Sequence, residues 1–179
     1  PVIYELSKEN KELIPKTIKH IFIISDRRER IETLRKIAKA VNSDKTMIFI
    51  NTKYDLEESL QKLQYHNFNV AALAGNIDKQ SKKKAVEDFQ NGRLQYLLAT
   101  DVAARGLQID HVSTVINVNL PEEPTEYLHR AGRCGRNNEQ GLCISIITEN
   151  ELNKIKKYQK AFNINIVQKR LYNGKIVSK

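Results

Sequence analysis

Thr46-Met47-Ile48-Phe49-Ile50-Asn51-Thr52 decides the fold. Its centre is apolar at every position from Met47 to Ile50. A strand without polar alternation is one covered on both faces, as in a parallel sheet. Similar short runs recur on either side, and residues 18–25, 70–73, 94–99, 112–118 and 142–147 read as strands, with 164–167 as a last one. Helical spacing separates them. Ile31, Leu34, Ile37, Ala38 and Val41 mark one helix, with Asp26 and Glu29 read as its capping box. Leu56, Leu60 and Leu63 mark a second, and Asp78 can cap a third that carries Ala85, Val86 and Phe89. Pro124 suits the first turn of a helix carrying Tyr127 and Leu128. Thr148 and Glu151 form a capping box before a Lys-rich helix. This alternation predicts an α/β fold with a mostly parallel central sheet and helices on both faces. Ligands of such sheets bind beyond the carboxyl ends of the strands. Thr52, Gly75 and Thr100 fall near such ends.

The chain has 179 residues, which suggests a single domain. Residues 1–17 read as a tether, 18–168 as the domain, and 169–179 as a basic end. The formal charge is +9 and the pI about 9.5, a balance that favours polyanions as partners. No run approaches the roughly 18 apolar residues of a membrane span, so no membrane association is expected. Cys134 and Cys143 form no CxxC pair and read as reduced thiols in a cytoplasmic protein. No metal-binding spacing is present, and His20, His66 and His111 read as surface or edge residues.

The chemistry concentrates in His129-Arg130-Ala131-Gly132-Arg133-Cys134-Gly135-Arg136. Arginine recurs every third residue there, with glycine before the last two. Glycine permits tight turns and close backbone approach. The guanidinium presents a planar fork that matches phosphate geometry. A second segment, Thr100-Asp101-Val102-Ala103-Ala104-Arg105-Gly106, strengthens the signal.

Taken in order, these segments resemble the C-terminal half of DEAD-box RNA helicases. Met47 to Thr52 is similar to the family's strand ending in Thr. Gln80-Ser81-Lys82-Lys83 stands where the family has Gln-x-x-Arg, and 100–106 matches Thr-Asp-x-Ala-x-Arg-Gly. Residues 115–121 resemble the strand that follows, and 129–136 match His-Arg-x-Gly-Arg-x-Gly-Arg. The resemblance implies a RecA-like fold and a role in ATP-dependent RNA unwinding. It implies that Arg133 and Arg136 act as arginine fingers. Gly106, Gln108 and Asp110 would lie beside the nucleotide. Thr52, Lys53, Gly75, Gln80, Lys83 and Thr100 would contact RNA. His129, Arg130, Asp101 and Arg105 would face the partner domain.

The chain contains neither a G-x-x-x-x-G-K-[ST] phosphate loop nor Asp-Glu-Ala-Asp. ATP with Mg²⁺ would therefore be held mainly by an N-terminal RecA-like domain that this chain lacks, and the chain is expected to be part of a longer, monomeric enzyme, inactive alone. The RNA partner would be mainly single-stranded, gripped through its phosphate backbone. Three departures from the family pattern stand out: Gln108 replaces a ribose-contacting Asp, Ala74 replaces a His, and Lys83 replaces an Arg. A stand-alone RNA-binding domain and a related DNA helicase domain are the alternative readings.

Overall fold

The computed structural model describes residues 14–74, 76–135 and 139–179. Its strands are β1 (Ile18–Ile24), β2 (Thr46–Phe49), β3 (Val70–Leu73), β4 (Tyr96–Ala99), β5 (Thr114–Asn117), β6 (Gly141–Ile147), β7 (Ile166–Tyr172) and β8 (Lys175–Ser178). Its helices are α1 (Arg30–Val41), α2 (Lys53–Tyr65), α3 (Lys79–Gln90), α4 (Asp101–Ala104), α5 (Pro124–Ala131) and α6 (Leu152–Phe162). The strands form one sheet in the order β3-β4-β2-β5-β6-β1-β7-β8. Every pairing is parallel except that of β7 with β8.

The apolar run of β2 is buried on both sides of the sheet. Met47 and Phe49 join one core cluster with Leu97, Phe89, Tyr127 and Tyr158, under α3, α5 and α6. Ile48 and Ile50 join the other with Leu34, Ile37, Leu56 and Leu63, under α1 and α2. This is the two-faced α/β arrangement that the strand pattern predicts, in keeping with the RecA-like fold that the resemblance implies.

Local details depart from the sequence reading in two places. Asp26 makes no side-chain cap; the chain enters α1 through a 3-10 turn at Arg27–Glu29. The second predicted box is present, with Glu151 Oε1 accepting from the Thr148 backbone N–H at 3.1 Å. Residues 169–179, read as a basic end beyond the domain, continue its sheet, because β7 runs to Tyr172 and β8 pairs back onto it. The turn is Asn173-Gly174, with φ of 50° and 73°. Asn-Gly is the pair that supplies two left-handed residues to a tight hairpin.

His20 is also not at the surface. It is 5% exposed, inside the α5–α6 face of the sheet. Its Nδ1 shares a 2.8 Å hydrogen bond with the Tyr127 hydroxyl. Tyr127 in turn stacks on Tyr158 at 4.9 Å. His66 and His111 are exposed. Cys134 and Cys143 are free thiols in the core, and burial pushes Cys143 up to about 11.

Burial lowers the His20 pKa to about 4 from 6.5. The unfolded chain therefore binds a proton that the folded chain refuses between these values. The stability held by neutral His20 is fully present above pH 6.5 and is lost as pH falls toward 4, by up to about 1.4 kcal/mol per pH unit. Urea unfolding at several pH values in this window should show that slope in the wild type and a flatter one in His20→Gln. Equal slopes would remove His20 from the account.

Candidate functional site

Arg130 organises the carboxyl edge of the sheet. Pro124 starts α5, whose inward side carries Tyr127, Leu128, Arg130 and Ala131. Arg130 is 1% exposed. A buried guanidinium is costly unless its charge and donors are satisfied. Here every donor has an acceptor. Nε and Nη2 grip the Asp101 carboxylate at 2.8 and 2.6 Å. Nη1 donates to the Asn119 carbonyl at 2.8 Å and to Asn117 Oδ1 at 3.3 Å. Nη2 also donates to Asn51 Oδ1 at 2.8 Å. The guanidinium carbon lies 5.1 Å from the centre of the Phe49 ring.

The acceptors come from separate elements and are themselves fixed. Asn51 follows β2, and its Nδ2 donates to the Leu120 carbonyl at 3.0 Å. Its backbone N–H donates to Asn119 Oδ1 at 3.0 Å. Asn117 ends β5 and donates to Ser145 Oγ of β6 at 3.1 Å. One side chain thus locks the ends of β2 and β5 to α4 and α5.

Arg130 and Asp101 were expected to face a partner domain; Arg130 is instead buried within this one, whereas the Asp101 side chain stays 23% exposed. Both engage each other within the domain, and Arg130 has no surface left to offer. The other two expected interdomain residues do lie outward. His129 and Arg105 have side chains 65% and 70% exposed, and both approach Glu126, at 3.9 and 3.7 Å.

A cleft of about 380 Å³ opens beside this network, lined by Asp101, Arg105, Gly106, His129 and Arg133 among others. Arg133 sits two residues past the end of α5. Its Nη1 donates to the Leu107 carbonyl at 2.6 Å and its Nη2 to the Ala104 carbonyl at 3.3 Å. Gly106 has φ +80° and open space where a Cβ would stand. It lets the chain reverse after α4 and leaves the cleft floor bare. Gln108 is exposed, and its backbone carbonyl accepts from Gln90 Nε2 at 2.9 Å. Asp110 is half-buried. Arg136 lies outside the described residues.

Along the same edge, α2, α3 and α4 start just beyond β2, β3 and β4, which are neighbours in the sheet. Helix N-termini carry unsatisfied N–H groups and partial positive charge. Thr52 accepts from the Asp55 N–H at 3.2 Å, and Thr100 from the Ala103 N–H at 3.2 Å. Asp78 caps α3 through the Ser81 N–H at 2.7 Å. Lys53, Gln80 and Lys83 are exposed around these ends. Gly75 lies outside the described residues. The sequence reading missed Asn51, Asn117, Asn119 and Glu126. The clue was present in Asn117-Val118-Asn119, polar residues closing an apolar strand.

Residues 29–138 match the family described as the helicase conserved C-terminal domain. The DEAD-box ATP-dependent RNA helicase CshC of Bacillus cereus is 34% identical over 94% of this chain. The chain belongs to the DEAD-box helicases, as their C-terminal domain. The ATP-dependent RNA helicase FAL1 of Eremothecium gossypii is 37% identical over 83% of the chain. The chain spans about two fifths of the length of these relatives, 42% and 38%. Among solved structures, the C-terminal domain of the DEAD-box protein Dbp5 superposes with a TM-score of 0.81 at 29% identity. That match covers 86% of this chain and 91% of the other. S. cerevisiae Dbp5 bound to RNA and ADP BeF3 gives 0.82 at 28% identity, over 90% of this chain and 44% of that one. Among the described residues, no helix is long and apolar enough to cross a membrane.

Removing Arg130 would strand the Asp101 carboxylate and several amides. Arg130→Ala should cost about 3–5 kcal/mol in chemical denaturation. Arg130→Lys should cost nearly as much, because one ammonium cannot reach acceptors on both sides of a planar fork. A loss below about 1 kcal/mol in both variants would show that the network is not what holds this edge.

Proposed function

We propose that this DEAD-box domain supplies one wall of an ATP site and one wall of an RNA site to a longer RNA helicase. The observation that carries the proposal is Arg133, placed at an open cleft by a network that fixes α5. Its guanidinium donates to two neutral carbonyls. A phosphate oxygen would accept stronger, charge-assisted bonds from the same fork. A phosphate bound in the cleft would compete with those carbonyls for the same fork. Arg136, three residues on, is the second finger by spacing. The nucleotide bound by S. cerevisiae Dbp5 supports this reading.

Gly106 lines the cleft, and Gln108 and Asp110, just beyond it in sequence, would take the ribose. Gln108 offers an amide where the family has a carboxylate, so the ribose bond lacks charge assistance. Among the described residues no group of His, Cys, Asp and Glu side chains suits a metal ion. Mg²⁺ is assigned to the partner domain on the family resemblance, where it would offset phosphate charge. His129 and Arg105 meet that domain across the cleft.

RNA is assigned to the clustered ends of α2, α3 and α4, with Thr52, Thr100, Lys53, Gln80, Lys83 and Gly75 as contacts. Backbone amides and hydroxyls there grip phosphates without reading sequence. Lys83 acts as a point charge rather than a bidentate fork. Closure of the two domains would complete the ATP site and bend one strand, parting a short duplex. The protein would work as a monomer in the cytoplasm.

In the complete enzyme, Arg133→Ala or Arg136→Ala should slow RNA-stimulated ATP turnover about 10³-fold or more while RNA affinity is kept. Wild-type turnover in both variants would end the finger assignment. Lys83→Ala should weaken RNA binding and lower the dependence of log affinity on log salt by about 0.7. An unchanged slope would take Lys83 off the RNA path.

A further inference from the structure

The positive charge of this chain is not spread evenly. Residues 152–179 hold eight Lys and Arg side chains and no Asp or Glu. Subtracting them from the totals leaves 30 − 8 = 22 basic against 21 acidic side chains in residues 1–151, a net of +1. Nearly all of the +9 therefore resides in α6, β7 and β8. These elements sit at the β1-β7-β8 edge of the sheet, opposite the β3-β4-β2 edge that carries the proposed RNA contacts.

Register gathers this charge on one side. Strand residues alternate between faces. Ile166 belongs to the core under α6, whereas Leu171 packs on the opposite core under α1. Arg170 and Tyr172 consequently share the α6 side. Cross-strand partners point the same way, so Lys175, opposite Tyr172, joins them. On α6 the buried residues are Ile155, Tyr158 and Phe162. Lys156, Lys157 and Lys160 lie on its outer, exposed surface. The carboxylate nearest the start of α6, Glu151, is paired with Arg30 at 3.1 Å.

An aromatic lies within the basic surface. Tyr172 is 57% exposed, and the Arg170 guanidinium sits 5.2 Å from its ring centre. A basic face with an exposed aromatic suits nucleic acid, whose phosphates pair with the cations and whose bases stack on the ring. The Asn173-Gly174 turn, with both residues at positive φ, holds these side chains on a paired ribbon.

We propose that the outer face of α6 and the β7–β8 hairpin form a second RNA-binding surface. It takes single-stranded RNA that continues past the strand-end site, gripping the phosphate backbone through Lys156, Lys157, Lys160, Arg170 and Lys175 and stacking a base on Tyr172. This surface rests on the proposed function only in taking RNA as the ligand. Its location and residues are independent of that site.

The test uses the 179-residue chain, a fluorescein-labelled oligouridylate and its 5-iodouridine counterpart. Affinity is measured across a salt series. Replacing Lys156, Lys157 and Lys160 together by Gln should lower the slope of log affinity against log salt by roughly two, the loss of three single-strand phosphate contacts. Tyr172→Ala should weaken binding about tenfold, and the iodouridine probe should cross-link to Tyr172. Unchanged affinity and slope in the triple variant, with no cross-link at the hairpin, would overturn the proposal. So would a triple-variant effect confined to phosphatidylserine-containing vesicles. Thr52→Ala with Lys83→Ala, measured alongside, separates the two sites. Loss there but not at α6 refutes this surface alone, and loss at α6 but not there refutes only the strand-end assignment.

Discussion

A buried guanidinium cannot be left half satisfied, and that constraint arranges the functional edge of this domain. Arg130 must find an acceptor for each of its donors. It finds them on Asp101, Asn51, Asn117 and the Asn119 backbone. These acceptors follow or begin elements that the parallel sheet brings side by side. The network therefore converts sheet order into a fixed position for α4 and α5. Phe49 closes it from below. Such a polar network contributes more to specificity of arrangement than to net stability, since apolar packing of equal volume could be as stable.

Arg133 takes its place from this anchor. It lies three residues beyond Arg130, just past the end of α5, and reaches carbonyls at the end of α4. Arg130 fixes α5 to Asp101 at the start of α4, and Arg133 meets Ala104 at its end. The two arginines do different jobs although the sequence repeats them at equal spacing. One is buried and structural. The other lines an open cleft and donates to the Leu107 and Ala104 carbonyls. Arg105 and His129, left on the outer side, both approach a single carboxylate, Glu126.

Much of the fold was legible because periodicity reports burial directly. The unbroken apolar run at 47–50 and the helical spacing from Ile31 to Val41 each follow from which faces meet water. The edges were less legible. Asp26 looks like a cap, but its side chain does not reach back, and the helix starts through a 3-10 turn instead. The hairpin at Asn173-Gly174 was hidden by its charge, since lysines on an edge strand look like a solvated tail. His20 was misplaced because a lone histidine carries no sign of the tyrosine that will meet it from 107 residues away. The site divides the same way. Motif spacing located the cleft and the strand ends. It could not tell which arginine would turn inward, because that depends on Asn51, Asp101 and the Asn117–Asn119 stretch converging from three separate segments.

The central claim is that this domain holds half of a nucleotide site and gains activity only when a second wall meets it. The most direct measurement is RNA-stimulated ATP turnover by this chain alone and by the same chain joined through a linker to a DEAD-box N-terminal domain carrying a phosphate loop. The account predicts no turnover by the chain alone and RNA-dependent turnover by the joined protein, above that of the N-terminal domain by itself. Turnover by the chain alone, or a joined protein no faster than its N-terminal domain, would contradict it.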